Sequence, residues 1–474
     1  MLFNSWQFGI FLPLVFALYW SVPQKLKWLI ILISSYWFYM SWNIKYVTLI
    51  LFTTLISYTA ALLLERFNKN MAMKKLILAF TLIACLGVLF TFKYFNFFSQ
   101  SFIEFMSLFA IHLHPVTLKL LLPVGISFYT FQTLGYVIDV YRGTVRAEKH
   151  FGIYAAFISF FPQLVAGPIE RTNNLLPQIK AYHEFNYDQA VYGLKLMAWG
   201  LFKKLVVSDN LAAEADKIFG SLYDYHGFTL ILASMYFVIQ IYCDFSGYSD
   251  IARGCSKLFG IELMHNFRSP YLSASIKEFW SRWHISLSTW FRDYVYIPLG
   301  GNRVSRFRHN INLMITFMIS GLWHGANWTF IIWGSLHGLA QIVENAFMKK
   351  RDDVHGFKWL LRVICVFLFC SFMWVFFRAQ SLNEAMYIFT HMFSGISDIR
   401  SYLHADMGAK KIFLAGGLIV AIYDYISLVK GQEAVNLLRD KSAFTRWLAY
   451  ISLGLAVIIF SPKGAATEFI YFQF

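Results

Sequence analysis

The chain has 474 residues, of which 58% are hydrophobic, 19% aromatic and only 14% charged, and its mean hydropathy is +0.52. Soluble domains carry roughly 25% charged residues, so a single water-soluble globule is excluded and the chain reads as an all-α polytopic membrane protein in one integral-membrane domain. The net charge of +15, from 41 basic against 26 acidic residues, fits basic loops and attraction to anionic membrane lipid. It argues against nucleic acid, because the basic residues lie between apolar runs, and it leaves room for an anionic small substrate such as a phosphorylated cofactor.

In chain order, the opening MLFNSWQFGIFLPLVFALYW has no basic leader and no small-residue cleavage site, and reads as a retained first span. Further apolar runs follow at 28–40, 46–64, 76–92, 120–138, 151–165, 191–207, 228–243, 311–343, 360–377, 412–428 and 447–460. The run at 311–343 is long enough for two segments. About 20 residues span a bilayer upright, so the pattern predicts roughly 11 to 13 spanning helices with some re-entrant ones. The five cysteines, Cys85, Cys243, Cys255, Cys365 and Cys370, form no CxxC pair. They predict neither a disulfide framework nor a metal site.

Within 241–254, IYCDFSGYSDIARG, Asp244 follows an apolar run and the Phe-Ser-Gly-Tyr-Ser sequence looks like a helix break. A buried Asp needs a cationic or His partner; the other reading is an Asp capping a helix start. The segment 253–308 carries nine basic residues and is the most basic loop, expected on the cytoplasmic side. Its centre, 277–290, predicts a helix placing Trp280, Trp283, His284 and Leu287 on one face, with Glu278 and Arg282 as an i,i+4 pair on another. His284 on that face fits either a functional group or an interfacial histidine.

The stretch 310–343, NINLMITFMISGLWHGANWTFIIWGSLHGLAQIV, has no Asp, Glu, Lys or Arg, yet holds His324 and His337. As one helix its 34 residues would run about 51 Å, against a hydrocarbon core of about 30 Å. It must therefore tilt, break or fold back. Gly321, Gly325 and Asn327 are the cheapest places to break it. Basic residues flank it on both sides, Arg303, Arg306 and Arg308 before and Lys349, Lys350 and Arg351 after. If both flanks are cytoplasmic, the chain turns inside the protein near His324. On one straight helix the two histidines lie on different faces, so they serve one site only if the chain breaks between them. His324, set between Gly321 and Gly325 beside Trp323, Asn327 and Trp328, has the more unusual setting. His337 fits a histidine hydrogen-bonded between helices. No GxSxG elbow, P-loop or HExxH is present. A histidine base acting on a hydroxyl is the simplest chemistry left.

Several long motifs, LPVGISFYTFQTLGYVIDVYRG, FFPQLVAGPIER, YCDFSGYSDIARG, SPYLSASIKEFWSRWHISLSTWFRDYVYIPLGGNR and SGLWHGANWTFIIWGSLHG, with the opening MLFNSWQF and the closing FIYFQF, closely resemble the membrane-bound O-acyltransferase family. The likeness is to its bacterial alginate and peptidoglycan O-acetyltransferase branch, and the motif-bearing core is about 120–345. The resemblance implies a ring of helices around a thin central region pierced by a channel. It places the family's membrane-embedded histidine on His324 and its second signature position on His284, where many eukaryotic members have Asn.

It further implies acetyl-CoA as acyl-donor substrate, with no bound cofactor and no metal. His324 is then the general base, and His284 or a nearby Trp or Asn orients the donor or stabilises the oxyanion. Asp244, Trp283, Arg282, Asn327 and Trp328 are the candidate substrate-binding residues, and cations of 253–308 hold the CoA phosphates. The implied acceptor is an extracytoplasmic partner protein of SGNH-hydrolase type, or a polysaccharide such as alginate or peptidoglycan. The implied location is the bacterial inner membrane. Two other classes are open: a proton-coupled transporter using His324 and Asp244, although no inverted repeat is evident, and a non-catalytic scaffold that passes the acyl group on.

Overall fold

The computed structural model describes residues 1–165, 167–347, 356–395, 407–463 and 469–470, and among these every regular element is helical. Lys349, Lys350 and Arg351, and the last four residues of FIYFQF, lie outside the described residues.

The chain opens with α1 (Trp6–Ser21), α2 (Lys27–Met40), α3 (Val47–Arg66) and α4 (Met71–Leu89). A π turn at Phe90–Tyr94 leads into α5 (Phe95–Ser107). Next come α6 (Ile126–Arg142), α7 (Phe151–Ser159), α8 (Phe161–Leu164), α9 (Thr172–Lys180) and α10 (Tyr187–Leu201). A second π turn, Phe202–Ser208, joins α10 to α11 (Asp209–Gly220), and the long α12 (Phe228–Lys257) follows. The remainder is α13 (Ile276–Arg282), α14 (Ile285–Phe291), α15 (Arg306–His324), α16 (Trp328–Phe347), α17 (Phe357–Arg378), α18 (Leu382–His391), α19 (Met407–Lys430) and α20 (Ala443–Phe460).

Side-chain caps start many of these helices. Ser5, Asn70, Ser275, Ser305, Ser381 and Ser442 each accept a backbone N–H of the first turn, which satisfies a donor the helix leaves open. The expected runs fall on helices with two local differences. The run at 120–138 becomes helical only from Ile126, because Gly125 takes φ +75° at the helix start. The run at 151–165 is split at Phe160, whose non-helical backbone (φ −48°, ψ +107°) separates α7 from α8.

Among the described residues, six helical stretches are long and apolar enough to cross a membrane: Ile44–Arg66, Met71–Ser107, Phe228–Lys257, Phe357–Arg378, Lys410–Lys430 and Ala443–Phe460. The chain is a multi-pass membrane protein. These stretches have different surroundings. Most of α12 is buried against protein, whereas nothing in the apolar window of α20 is buried. A helix apolar all round and unburied by its own chain suits lipid.

The chain forms two compact units, Met1–Val191 with Cys255–Met264, and Tyr192–Gly254 with His265–Phe474. The first has an aromatic core in which Phe8, Phe11, Phe38 and Phe161 meet. Buried polar groups pair across it, with Gln163 Nε2 donating to Gln132 Oε1 at 2.6 Å.

The second unit carries both predicted histidines. Its α15 and α16 form an antiparallel hairpin, so the apolar stretch 310–343 is folded back and not spanned by one helix. The turn is Gly325–Asn327, as the composition suggested. Gly321 sits within α15, where it has a packing task. A Cβ on Gly321 would lie 2.3 Å from the Phe330 carbonyl oxygen, and one on Gly334 would lie 2.3 Å from the Phe317 carbonyl oxygen. Small residues let the two backbones touch, as membrane helix pairs commonly require.

The hairpin predicts an asymmetry between glycines. Gly334→Ala forces a methyl onto a backbone carbonyl and is expected to destabilise by about 1–3 kcal/mol. Gly9→Ala has nothing within 4 Å, and is expected to be neutral or to stabilise by about 0.5–1 kcal/mol. Thermal midpoints of the two variants in detergent check the contrast.

Candidate active site

His324 is the last residue of α15 and is 2% exposed. Its Nδ1 lies 2.6 Å from the carbonyl oxygen of Ser320, one turn back. A carbonyl oxygen can only accept, so Nδ1 carries the proton and donates it. In the neutral ring Nε2 is then the basic nitrogen. The helix ends here because the chain leaves α15 extended at Gly325, where any side chain would run into the Phe330 ring 2.1 Å away.

The His324 ring is walled by Trp323 at 5.0 Å, Trp333 at 4.9 Å and Phe377 at 5.6 Å between ring centres, and His284 lies at 6.4 Å. The two histidines, 40 positions apart by their numbers, thus face one enclosed space.

His284 reaches that space by an unusual backbone. The predicted continuous helix over 277–290 does not form. α13 ends at Arg282 and α14 starts at Ile285, and His284 between them has φ +43° and ψ +53°. A non-glycine residue in this left-handed region is strained and persists only where its surroundings impose it. Asn266 supplies much of that constraint. Its carbonyl accepts Ile285 N–H at 3.0 Å, its side-chain oxygen accepts the Ser286 hydroxyl at 2.6 Å, and its amide donates to Ser249 Oγ on α12 at 3.1 Å. Sequence reasoning missed Asn266, which sits in no recognisable motif. His284 also packs edge-on to Phe245 at 4.6 Å.

Of the candidate substrate-binding residues, Trp283 is brought beside the histidines. It is fully buried against Trp374 at 4.8 Å and Phe267 at 5.0 Å. Arg282 makes the predicted i,i+4 ion pair, 2.6 Å to Glu278. Asn327 closes the hairpin turn, donating to the Gln380 carbonyl at 2.7 Å and accepting Thr329 N–H at 3.0 Å. Its neighbour Trp328 is 48% exposed.

Asp244 is held in a buried ion triad. Lys204 pairs with Asp244 at 2.6 Å and with Asp209 at 2.7 Å, and the second Asp244 oxygen accepts the backbone N–H of Ile470 at 2.7 Å. Asp244 is therefore an anchor for the C-terminal residues, with Phe469 packed on Phe245 and Tyr248.

The helix break expected at Phe245–Ser249 is absent, because α12 runs through it. Gly247 there serves close approach, since a Cβ on it would meet the Gly200 carbonyl oxygen at 2.8 Å. That approach brings the π turn carrying Lys203 and Lys204 onto α12. Lys203 and Lys204, adjacent inside the apolar run 191–207, were the signal available in the sequence, because a charge at that depth needs partners.

His337 lies one Trp ring away from His324, with Trp333 touching it at 5.1 Å. The turn at Gly325–Asn327 thus brings both histidines of the stretch against one side chain. An indole N–H only donates, so His337 Nδ1 accepts from Trp280 Nε1 at 3.3 Å. This is the interhelical hydrogen bond expected for it.

Two cavities border these elements. One, of about 660 Å³, has a wall formed by His309, Leu313, Thr316 and Ser320 of α15 and another formed by Ile285, Ser288 and Thr289 of α14. On α15 the spacing is four, three and four residues, so the stripe points along one helix face to His324 as the next position. The α14 wall begins at the residue after His284. Neither histidine lines the cavity itself; His324 follows one turn after Ser320, and His284 directly precedes Ile285. Lys277, Arg292 and His309 line the cavity, and its lining residues include no Asp or Glu. The other cavity, of about 490 Å³, is lined by charges that neutralise one another. There Lys203 pairs with Asp250 at 2.7 Å, Arg253 with Glu433 at 2.8 Å, and Tyr242 donates to Asp424.

The buried triad predicts unequal costs. Lys204→Met leaves two buried carboxylates without their cation and is expected to destabilise by about 3–5 kcal/mol. Asp244→Asn keeps the acceptor for Ile470 and leaves the Lys204–Asp209 pair intact, and is expected to cost about 1–3 kcal/mol. Thermal unfolding in detergent ranks them.

Residues 149–388 match the family model for the membrane-bound O-acyltransferase family. The chain is 38% identical over 428 residues to a probable alginate O-acetylase of Azotobacter vinelandii, covering 89% of this chain and 85% of that protein. It is 37% identical over 427 residues to a peptidoglycan O-acetyltransferase of Helicobacter pylori, covering 83% and 80%. A teichoic acid D-alanyltransferase of Streptococcus thermophilus is more distant, 30% identical over 285 residues and covering 55% and 66%.

Proposed function

The chain belongs to the membrane-bound O-acyltransferase family, and we propose that this acyltransferase moves an acetyl group from cytoplasmic acetyl-CoA to a hydroxyl of an extracytoplasmic acceptor. The acceptor is a cell-surface polysaccharide or a partner protein, of SGNH-hydrolase type, that passes acetyl on to one. The membrane concerned is the bacterial inner membrane. The observation that carries this reading is the hydrogen bond from His324 Nδ1 to Ser320, which leaves Nε2 as the base, one helical turn beyond the last α15 residue of the cationic cavity.

The steps follow from that geometry. The acceptor hydroxyl gives its proton to His324 Nε2 as its oxygen bonds the acetyl carbon. The thioester carbonyl becomes an oxyanion. The intermediate then collapses, the C–S bond breaks, and the thiolate takes the proton back from His324. Lys277, Arg292 and His309 suit the phosphates of the donor, since the cavity lining is cationic, and Arg292 is oriented there by Asp293 at 2.8 Å. His284 faces the reacting carbon from the opposite wall, where its fixed backbone holds the ring in one place. The names of the relatives supply the acceptor class; alginate and peptidoglycan both present sugar hydroxyls.

His324→Ala in membranes at equal protein level, given radiolabelled acetyl-CoA, is expected to lose at least about 10²-fold in acetyl transfer. Unchanged transfer would sink the assignment. Transport of a labelled solute without acetyl-CoA would favour a transporter, and absence of turnover by the purified chain would favour a passive scaffold.

The cavity makes a second demand. Lys277→Glu with Arg292→Glu is expected to raise the KM for acetyl-CoA about tenfold with little change in kcat, and the effect is expected to shrink at high salt because both groups are exposed. Steady-state kinetics at two ionic strengths measures it.

A further inference from the structure

Trp280 and Trp333 touch the histidines of the hairpin, Trp374 and Trp283 continue from Trp333, and the indole N–H groups of these four differ. Trp280 donates to His337 Nδ1. Trp283, Trp333 and Trp374 are at most 1% exposed, and their Nε1 atoms meet no hydrogen-bond acceptor among the described residues. The three form one stack, with Trp283 on Trp374 at 4.8 Å and Trp374 on Trp333 at 5.6 Å. Native proteins keep few buried donors unmet, because each carries the full cost of lost hydration. Three in one stack, ending on the base, call for an acceptor that arrives with a ligand.

Only Trp333 among the three is in ring contact with both histidines of the hairpin, edge-on to His324 at 4.9 Å and to His337 at 5.1 Å. We propose that the Trp333 Nε1–H donates to the oxyanion formed during acyl transfer at His324. This rests on the acetyl-transfer reading above and names the group that stabilises its intermediate.

The balance of the step is simple. The attacking hydroxyl oxygen supplies an electron pair to the acyl carbon and loses its proton to His324 Nε2. The carbonyl π pair moves onto oxygen, and the Trp333 N–H donates a hydrogen bond to that charge. When the π bond re-forms, the pair of the breaking C–S bond leaves with the thiolate, which takes the proton from His324. The indole donates throughout and transfers no proton. A fixed donor in a dry site needs no reorganisation as the charge appears, which is where such donors act most strongly.

The test replaces the N–H and little else. Benzothienylalanine at position 333 keeps the ring shape with sulfur in place of N–H, and Trp333→Phe is the simpler companion. For both, kcat is expected to fall about 10²–10³-fold, with KM for acetyl-CoA within threefold. The thermal midpoint of the isosteric variant is expected not to fall, because no folded-state hydrogen bond is removed. Trp374→Phe removes another unmet N–H from the same stack and is expected to lose less than tenfold. A kcat within threefold of wild type for the isosteric variant overturns the inference and leaves the acetyl-transfer reading standing. Equal losses for Trp333→Phe and Trp374→Phe, or a loss confined to KM, overturn it as well. A wild-type protein that transfers no acetyl overturns the reading itself, and this inference with it.

Discussion

The hydrogen bond between His324 Nδ1 and the Ser320 carbonyl orders the second unit's chemistry. It works only because α15 stops at His324. One more helical turn would carry the chain onward and bury the ring against its own helix. The stop depends on Gly325, which has no room for a side chain beside Phe330, and on the glycine contacts that clamp α16 back along α15. A small-residue packing rule thus sets a tautomer, and the tautomer leaves Nε2 as the basic nitrogen of the ring.

Around this fixed ring the protein uses two further devices. His284 is held in a left-handed conformation by Asn266, which ties the α13–α14 kink to Ser249 on α12. α12 itself is tied to the π turn after α10 by two lysines paired with Asp209, Asp244 and Asp250. Charges this deep are tolerated only in pairs. The ion network therefore reads as the frame that keeps the α12 face, and with it Asn266 and Phe245, in register under His284.

The sequence made the site's centre legible and its frame illegible, for physical reasons. His324 stood out because a polar side chain in a long uncharged stretch has few bland explanations. The fold-back was forced by length alone. The kink at His284 was not visible, since 277–290 has good helical periodicity and the break is imposed by Asn266 from another segment. The cationic partner expected for Asp244 is present in Lys204, but the continuity of α12 beyond it was not visible. Ser and Gly after it look like a break in a soluble chain, whereas at membrane depth they mark where another helix comes close. Lys203 and Lys204 were diluted by the apolar residues on either side, and their acidic partners lie on different helices.

The buried setting also answers a competition that any acyltransferase faces. Water is a hydroxyl nucleophile too, and an activated acyl group beside a general base would be hydrolysed if water had access. His284 and His324 are at most 2% exposed and ringed by Trp323, Trp333, Phe245 and Phe377. Aromatic walls exclude water and strengthen each electrostatic contact inside. A polar stripe of α15, with imidazole and hydroxyl groups at 309, 316 and 320, lines the cationic cavity on the same helix face as His324. Keeping the His324 ring dry while its helix face stays polar requires that α15 end among the aromatic side chains, and the hairpin at Gly325 provides that ending.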